Sequence, residues 1–415
     1  MLLKNVRIVT GKPQPSPFPL QDIRLRDGRI AAIGTLSAER GEEVHEWPNA
    51  HLSPGWVDVG THTGDPGFEH REDLLSAAAA AAAGGYTVLA PMPNTAPAVH
   101  SKTEVLYVLN KANGLPVRVR PIGAMSQGTE GKDLAELYDM HAAGAVAFSD
   151  GCHPVQDAGL LLRAMQYASA FGGLIINQAH HKTLSAGGQM HEGLVSTSLG
   201  LRGLPALAEE IMVQRDLSLL EYAGAGCRLH LHLVSTAKSA ALIREAKRQG
   251  LPVTASAAIA NLCFTDERLA HFDSNWKLLP PLRSAADVEA LTEGVADGTI
   301  DLLCSNHRPW DEEAKNLEFP YAEFGMIGLE TAFALWRSFA ADRLSLTDWV
   351  RTSALRPREV LGLPMPDLEP GAPADFTVFD PDAAWVLGQE HLRSRSRNTP
   401  LLGQNLRGRV LLTVI

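Results

Sequence analysis

Eight short apolar, β-branched runs alternate with helical patterns through the middle of the chain. They are Trp56–His62, Tyr86–Ala90, Val117–Gly123, Ala145–Phe148, Gly173–Asn177, Arg228–Val234, Pro252–Ala255 and Thr299–Ser305. A strand that is apolar along its whole length is buried on both faces, as in a parallel sheet covered by helices. Eight such units predict a (β/α)8 barrel. The alternative is an open doubly wound sheet, but no Gly-x-Gly-x-x-Gly turn follows the first run, which favours the barrel.

Both ends of the chain are β-rich. Leu2–Thr10 and Gly28–Ile33 at one end resemble Ala374–Phe379 and Arg409–Val414 at the other in their short apolar runs. We expect the two ends to build one small β-sandwich beside the barrel. The predicted boundaries are residues 1–53 for the first part of the sandwich, 54–360 for the barrel and 361–415 for the second part.

The charge of the chain and the composition of its segments argue against nucleic-acid binding, membrane insertion and export. The net charge of -10 opposes nucleic-acid binding, which needs a basic surface. The Ala77–Ala83 run is too short to span a membrane and is interpreted as a barrel helix. No export signal is recognised at Met1–Asn5, and the 4 cysteines lack the spacing of a zinc or disulfide motif. We therefore expect a cytoplasmic protein whose cysteines are small buried hydrophobes.

Chemistry in such a barrel lies where the strands end at their carboxyl side. Several motifs lie near these positions or follow them along the chain: Pro54-Gly55-Trp56-Val57-Asp58, Asp65-Pro66-Gly67, Met92-Pro93-Asn94-Thr95, Gly188-Gln189-Met190-His191-Glu192-Gly193, Pro280-Pro281-Leu282-Arg283, Asp297-Gly298-Thr299-Ile300-Asp301 and Asn398-Thr399-Pro400. Together they resemble the dihydroorotase family of the amidohydrolase superfamily. Their order and spacing extend the resemblance over nearly the whole chain.

The resemblance implies a specific chemistry. Active members open or form the cyclic amide of dihydroorotate in pyrimidine biosynthesis, with zinc held by four histidines, a bridging acidic group and an aspartate. Zinc polarises the ring carbonyl and generates hydroxide near neutral pH. The aspartate takes the water proton and returns it to the leaving nitrogen.

Several of these positions are occupied here by residues that cannot play those roles. The family's His-x-His motif corresponds to Gly60-Thr61-His62, and two further histidine positions correspond to Gln178 and Leu233. Asn306 stands at the general-base position, and an amide cannot cycle a proton near pH 7. Only Asp150 remains as a counterpart of the bridging acidic group. We therefore expect a degenerate site without a bound metal.

Substrate recognition is also altered. The arginine that grips the substrate carboxylate in the family corresponds to Gly64, and the asparagine ahead of Pro-Pro-Leu-Arg corresponds to Leu279. Asn94 survives, with a turn cap as its alternative role. The predicted substrate-facing residues are His62, Asn94 and Gln178.

A repurposed metal site is the alternative to an empty one. His62, Asp150 and His180 form a conceivable zinc-binding set, and three ligands with an open position suffice for a catalytic zinc. His230 and His232 are predicted to face the helix layer if Leu233 faces the barrel axis, unless a bulge reverses the alternation. His307 is expected to form a structural hydrogen bond.

Three functions follow from these observations. The first is a noncatalytic scaffold that forms a homo-oligomer, such as a dimer, and assembles with aspartate carbamoyltransferase. The alternative is an active divergent dihydroorotase, or a related zinc-dependent enzyme for a ring such as a hydantoin. The third is a metabolite sensor whose pocket is lined by Asn94, Gln178 and Asn306.

Overall fold

The structure is a computed structural model that describes residues 1–13 and 18–415. Its strands are β1 (Leu2–Ile8), β2 (Leu20–Arg26), β3 (Arg29–Gly34), β4 (Val44–Glu46), β5 (His51–Pro54), β6 (Trp56–Thr61), β7 (Tyr86–Pro91), β8 (Arg118–Val119), β9 (Ile122–Gly123), β10 (Ala147–Phe148), β11 (Leu174–Asn177), β12 (Met190–His191), β13 (Gly203–Leu204), β14 (Arg228–Leu231), β15 (Val253–Ala258), β16 (Leu302–Cys304), β17 (Phe376–Val386) and β18 (Asn405–Val414). Its α-helices are α1 (Leu74–Ala83), α2 (Lys102–Lys111), α3 (Leu137–Ala143), α4 (Ala158–Ser169), α5 (Leu194–Leu199), α6 (Leu207–Ala223), α7 (Ala237–Arg248), α8 (Ile259–Cys263), α9 (Ala285–Asp297), α10 (Glu312–Lys315), α11 (Ala332–Phe339), α12 (Leu346–Val350) and α13 (Arg356–Leu361).

Strands from both chain ends pair into one continuous sheet. Its order is β18-β17-β5-β1-β2-β3, with β4 paired to β1. Strand β17 runs antiparallel to β5, with Phe376 opposite Pro54. Leu3, Ile23 and Phe376 pack into the hydrophobic core of this unit. The prediction that the two ends form one β-unit is confirmed, whereas the exact domain boundaries stay predictions.

Parallel strands β6, β7, β8 with β9, β10, β11, β14, β15 and β16 occupy the eight predicted runs. Pro121 divides the third run, so that β8 pairs with β7 while β9 pairs with β10. The first and last strands meet because the His62 N–H donates to the His307 carbonyl at 3.0 Å. The Ser305 N–H also donates to the Asp58 carboxylate at 2.7 Å. The (β/α)8 barrel is therefore confirmed.

The alanine-rich run forms helix α1, as predicted. Asp73 caps its first turn through the Ser76 N–H, and Ala77, Ala78 and Ala81 are buried. Small side chains let the helix lie close to the barrel strands. No helix within the described ranges 1–13 and 18–415 is long and apolar enough to cross a membrane.

A polar layer crosses the barrel interior. His230 is in register with Ile176 on one side and with Thr254 on the other, and Ile176 packs with Val57 and Val59 inside the barrel. Because residues in register on parallel strands face the same side, His230 also faces the interior. The predicted outward orientation of His230 and His232 is therefore wrong. Regular alternation ends at Leu233, whose φ is 54°, so Leu233 gives no guide to the orientation of the residues before it.

Candidate functional site

Two adjoining cavities open at the carboxyl ends of the barrel strands. Their volumes are about 620 and 260 Å³, and both are lined by Thr129, Cys152 and His153. His62 and Asn94 line the smaller cavity, whereas Gln178 and His180 line the larger one. The structure thus divides the predicted site residues between two neighbouring spaces. Neither Asp150 nor Asn306 lines either cavity.

His62 follows strand β6 and carries an uncharged imidazole. Burial holds its pKa well below the ordinary histidine value, and the nearby Arg308 cation lowers that pKa further. An uncharged ring keeps a lone pair for a ligand's donor group. His62 is therefore suited to accept a hydrogen bond from an N–H group in the smaller cavity.

The space beside Gly60 is filled by another histidine. A Cβ atom on Gly60 would stand 2.6 Å from Cε1 of His232. The His232 ring is fixed because its Nδ1 atom lies 3.0 Å from the Ser256 hydroxyl, which is also 3.0 Å from Nε2 of His230. Burial lowers the pKa of His232 well below its ordinary value, and the neighbouring His230 lowers it further. This region of the mouth therefore contains packed, uncharged imidazoles.

Asp150 and Asn94 tie loops together. Both Asp150 carboxylate oxygens accept hydrogen bonds from Ser126, at 2.8 Å from its N–H and 2.5 Å from its hydroxyl. Burial raises the pKa of Asp150 against the effect of these bonds. The Asn94 amide donates to the Asp150 carbonyl at 3.0 Å and accepts from the Cys152 N–H at 3.1 Å. Asn94 thus supports the loop after β10 while also lining the smaller cavity.

Asn306 lies outside the two cavities, whereas Gln178 and His180 line the larger one. The Asn306 amide donates to the Leu279 carbonyl at 3.3 Å. Gln178 and His180 are half-buried in the larger cavity, and burial lowers the pKa of His180. His307 forms the expected structural bond: its Nδ1 accepts from the Gly328 N–H at 3.1 Å, which leaves Nε2 to donate to the buried Glu72 carboxylate at 3.3 Å.

Cys152 was expected to be a buried hydrophobe, and that interpretation is wrong. It is half-buried and lines both cavities. Burial would raise the pKa of its thiol, but a hydrogen bond with His153 and the positive charge of Arg308 outweigh that effect and lower it. Nδ1 of His153 lies 2.8 Å from the Thr129 hydroxyl. The sequence predicts that Cys152 and His153 follow a barrel strand, but no pattern in it indicates that their side chains meet Thr129.

Arg71 and Arg308 are a second feature that sequence analysis missed. Both line the smaller cavity. Their guanidinium carbons lie 4.0 and 5.7 Å from the centre of the Trp310 ring. They come from opposite ends of the barrel sequence, so no local pattern connects them.

Comparison with known proteins identifies the family. A family model described as "Dihydro-orotase-like" matches residues 50–239. A protein named dihydroorotase from Pelotomaculum thermopropionicum is 45% identical over 419 residues, which cover 100% of this chain and 97% of the relative. The chain belongs to the dihydroorotase family. A dihydroorotase from Syntrophus aciditrophicus is 41% identical with the same coverage. An L-hydantoinase structure from Arthrobacter aurescens has a TM-score of 0.86, 26% identity and coverage of 99% and 94%.

The family implies zinc, but this donor set does not fit it. Gly60 and Leu233 have no donor atom, and Gln178 offers only a neutral amide. The Asp150 oxygens are both engaged by Ser126. Across the described part of the chain, no group of three or more His, Cys, Asp or Glu side chains is placed to hold a metal ion.

Proposed function

We propose that this protein is a divergent cyclic amidohydrolase of the dihydroorotase type that acts on dihydroorotate or a related ring in pyrimidine biosynthesis. One observation carries the proposal. Relatives named dihydroorotase match the chain over its whole length at up to 45% identity. The fold shared with an L-hydantoinase supports the same class of ring substrate.

The smaller cavity offers groups suited to such a ring. His62 presents an uncharged imidazole to a ring N–H, and its neighbour in the lining, His153, is available for proton transfer. The Thr129 hydroxyl lies 2.8 Å from Nδ1 of His153 and fixes the orientation of the ring at the cavity wall. A hydrogen bond with Cys152 raises the pKa of His153. An imidazole in reach of the bound ring can act as a general acid or base.

A noncatalytic member of the family is the second candidate. The specific observation in its favour is the donor set, because Gly60, Gln178, Leu233 and Asn306 replace the groups that the family's chemistry uses. As a noncatalytic protein it would form a homo-oligomer, such as a dimer, and assemble with aspartate carbamoyltransferase. The barrel and its sheet would be kept for assembly rather than for hydrolysis.

Turnover separates the two candidates. Purified protein would be incubated with dihydroorotate and, in the reverse direction, with N-carbamoyl aspartate, before and after chelation, and products would be quantified by chromatography. We expect slow interconversion that His153→Gln reduces at least tenfold. The control, His271→Gln, changes an exposed histidine outside both cavities and should leave the rate unchanged.

The opposite outcome would favour assembly. Binding of dihydroorotate without turnover, together with co-elution with aspartate carbamoyltransferase and a change in that enzyme's activity, would replace the first candidate by the second. Absence of binding, turnover and co-elution would reject both.

A further inference from the structure

We propose that Arg308, assisted by Arg71, forms a carboxylate-binding site in the smaller cavity of the barrel mouth. This deepens the proposed function, on which it rests for the identity of the ring that bears the carboxylate. The binding site itself is argued from the charge and geometry of the cavity.

The smaller cavity has an excess of positive charge. Its lining includes Arg71 and Arg308 and contains no aspartate or glutamate from the described chain. Of the other polar groups in the lining, His62 is uncharged, Asn94 and Thr129 are engaged as described above, and Cys152 shares a hydrogen bond with His153. A concave site with unbalanced guanidinium charge attracts anions.

Arg308 is a cation whose guanidinium group has no hydrogen-bond acceptor among residues 1–13 and 18–415. No described side chain or carbonyl lies within hydrogen-bonding or ion-pair distance of its guanidinium group, although the residue is half-buried. Its backbone is fixed, because the Arg308 N–H donates to the Met326 carbonyl at 2.8 Å and its carbonyl accepts from the Asn398 amide at 3.1 Å. A guanidinium has five N–H donors in a planar fork that matches a carboxylate. Arg308 therefore presents an unfilled anion-binding group on a rigid backbone.

Arg71 is held by aromatic rings. Its guanidinium carbon lies 4.8 Å from the centre of the Phe68 ring and 4.0 Å from that of Trp310. One carboxylate approaches it, because the Arg71 Nε atom is 3.8 Å from Asp311. Asp311 thus balances part of one charge and leaves the charge of Arg308 unbalanced. These two ring contacts restrict the motion of the Arg71 side chain and so reduce the entropy lost when an anion binds.

Gly64 explains why the charge comes from Arg308. Position 64 lines the same cavity, and sequence analysis placed the carboxylate-binding arginine of the family there. A Cβ atom at Gly64 would stand 2.5 Å from the Glu72 carbonyl oxygen and 2.8 Å from that of Phe68, with φ at +66°. The turn that carries Arg71 therefore excludes any side chain at position 64. Arg308, which follows the neighbouring strand β16 and lines the same cavity, supplies the cation instead.

Calorimetric titration with two rings that differ in one group tests the proposal. Dihydroorotate carries a carboxylate and dihydrouracil lacks it. We expect Arg308→Met to weaken dihydroorotate binding roughly 30-fold and to leave dihydrouracil binding unchanged, since a charge-assisted bidentate bond is lost. Arg308→Lys, which keeps the charge without the fork, should give an intermediate loss. Arg163→Met removes an exposed arginine on α4 and is the matched control.

Equal effects of Arg308→Met on both rings, or no effect on either, would overturn the proposal, provided that the variant's melting temperature matches that of the unmodified protein. Succinate is the third probe. If neither ring binds but succinate binds in an Arg308-dependent manner, the carboxylate site stands and the proposed function fails. If none of the three probes binds, both fail.

Discussion

A Cβ atom added to Gly60 would stand 2.6 Å from the Cε1 atom of His232, because the His232 ring fills the space beside strand β6. Position 60 is where the family resemblance places a zinc-binding histidine. The His232 ring therefore occupies the space that a side chain at position 60 would need. A histidine at position 60 and the observed His232 cannot occupy the barrel together.

Gly60→Ala should destabilise the fold more than a glycine substitution in open space. We expect a loss of about 1 kcal/mol from the positive φ and a further ~1–3 kcal/mol from crowding against His232. Gly114→Ala is the matched control, since Gly114 has φ +80° with nothing within 4 Å of its added Cβ, against +91° for Gly60. Denaturant unfolding measures both. Equal losses in the two variants would contradict the crowding argument.

The buried histidines should make stability fall as the pH drops below about 6.5. Burial lowers the pKa of His230 to about 3. Because only the unfolded chain binds this proton between pH 6.5 and 3, stability is complete above that range and is lost as pH falls through it. His230→Gln should reduce the slope by about 1.3 kcal/mol per pH unit between pH 5.5 and 4.5, where the unfolded histidine is almost fully protonated. Exposed His271, changed to Gln, should leave the slope as it is, and an unchanged slope in His230→Gln would refute this account.

Cys152 should be the first thiol to react with iodoacetamide at pH 7. The pKa of its thiol is lowered, which increases the thiolate fraction, whereas burial raises the pKa values of Cys263 and Cys304. Arg308→Met should slow the reaction at Cys152, since the Arg308 charge lowers that pKa. Peptide mass spectrometry over time gives the order of labelling. Labelling of Cys227 before Cys152 would contradict the claim that His153 and Arg308 lower the pKa of the Cys152 thiol.

Lys277 should stabilise the segment that follows helix α10. Its buried ammonium donates to the carbonyls of Phe319, Pro320 and Ala322 at 2.9, 3.1 and 2.6 Å. Lys277→Met would leave three carbonyls without this donor and should cost about 3 kcal/mol. Thermal unfolding should show a clear loss, whereas exposed Lys102, changed to Met, should have little effect. Equal melting temperatures for the two variants would argue against this role.

The barrel could be predicted from sequence because its information is local. Each strand run, such as Tyr86–Ala90, is apolar and β-branched by itself, and its helix follows in the chain. The rim positions after the strands followed from the same pattern. This is why His62, Asn94 and Gln178 were placed in the correct region, where they line the two cavities.

The details of the site depend on contacts between distant segments. The inward orientation of His232 was missed because the backbone leaves regular alternation at Leu233, whose φ of 54° no sequence pattern indicates. Arg308 was overlooked because its role depends on a turn at Gly64, far away in the chain. Cys152 was misjudged because its environment is completed by Thr129 from another strand end.

Titration of dihydroorotate into chelator-treated protein tests the central claim most directly, namely that this barrel mouth binds the ring of its family without the family's metal. We expect binding of one dihydroorotate per chain, with the same affinity before chelation, after chelation and after zinc is added back. Binding that disappears on chelation and returns with zinc would contradict the account, because it would require a metal centre among these strand ends.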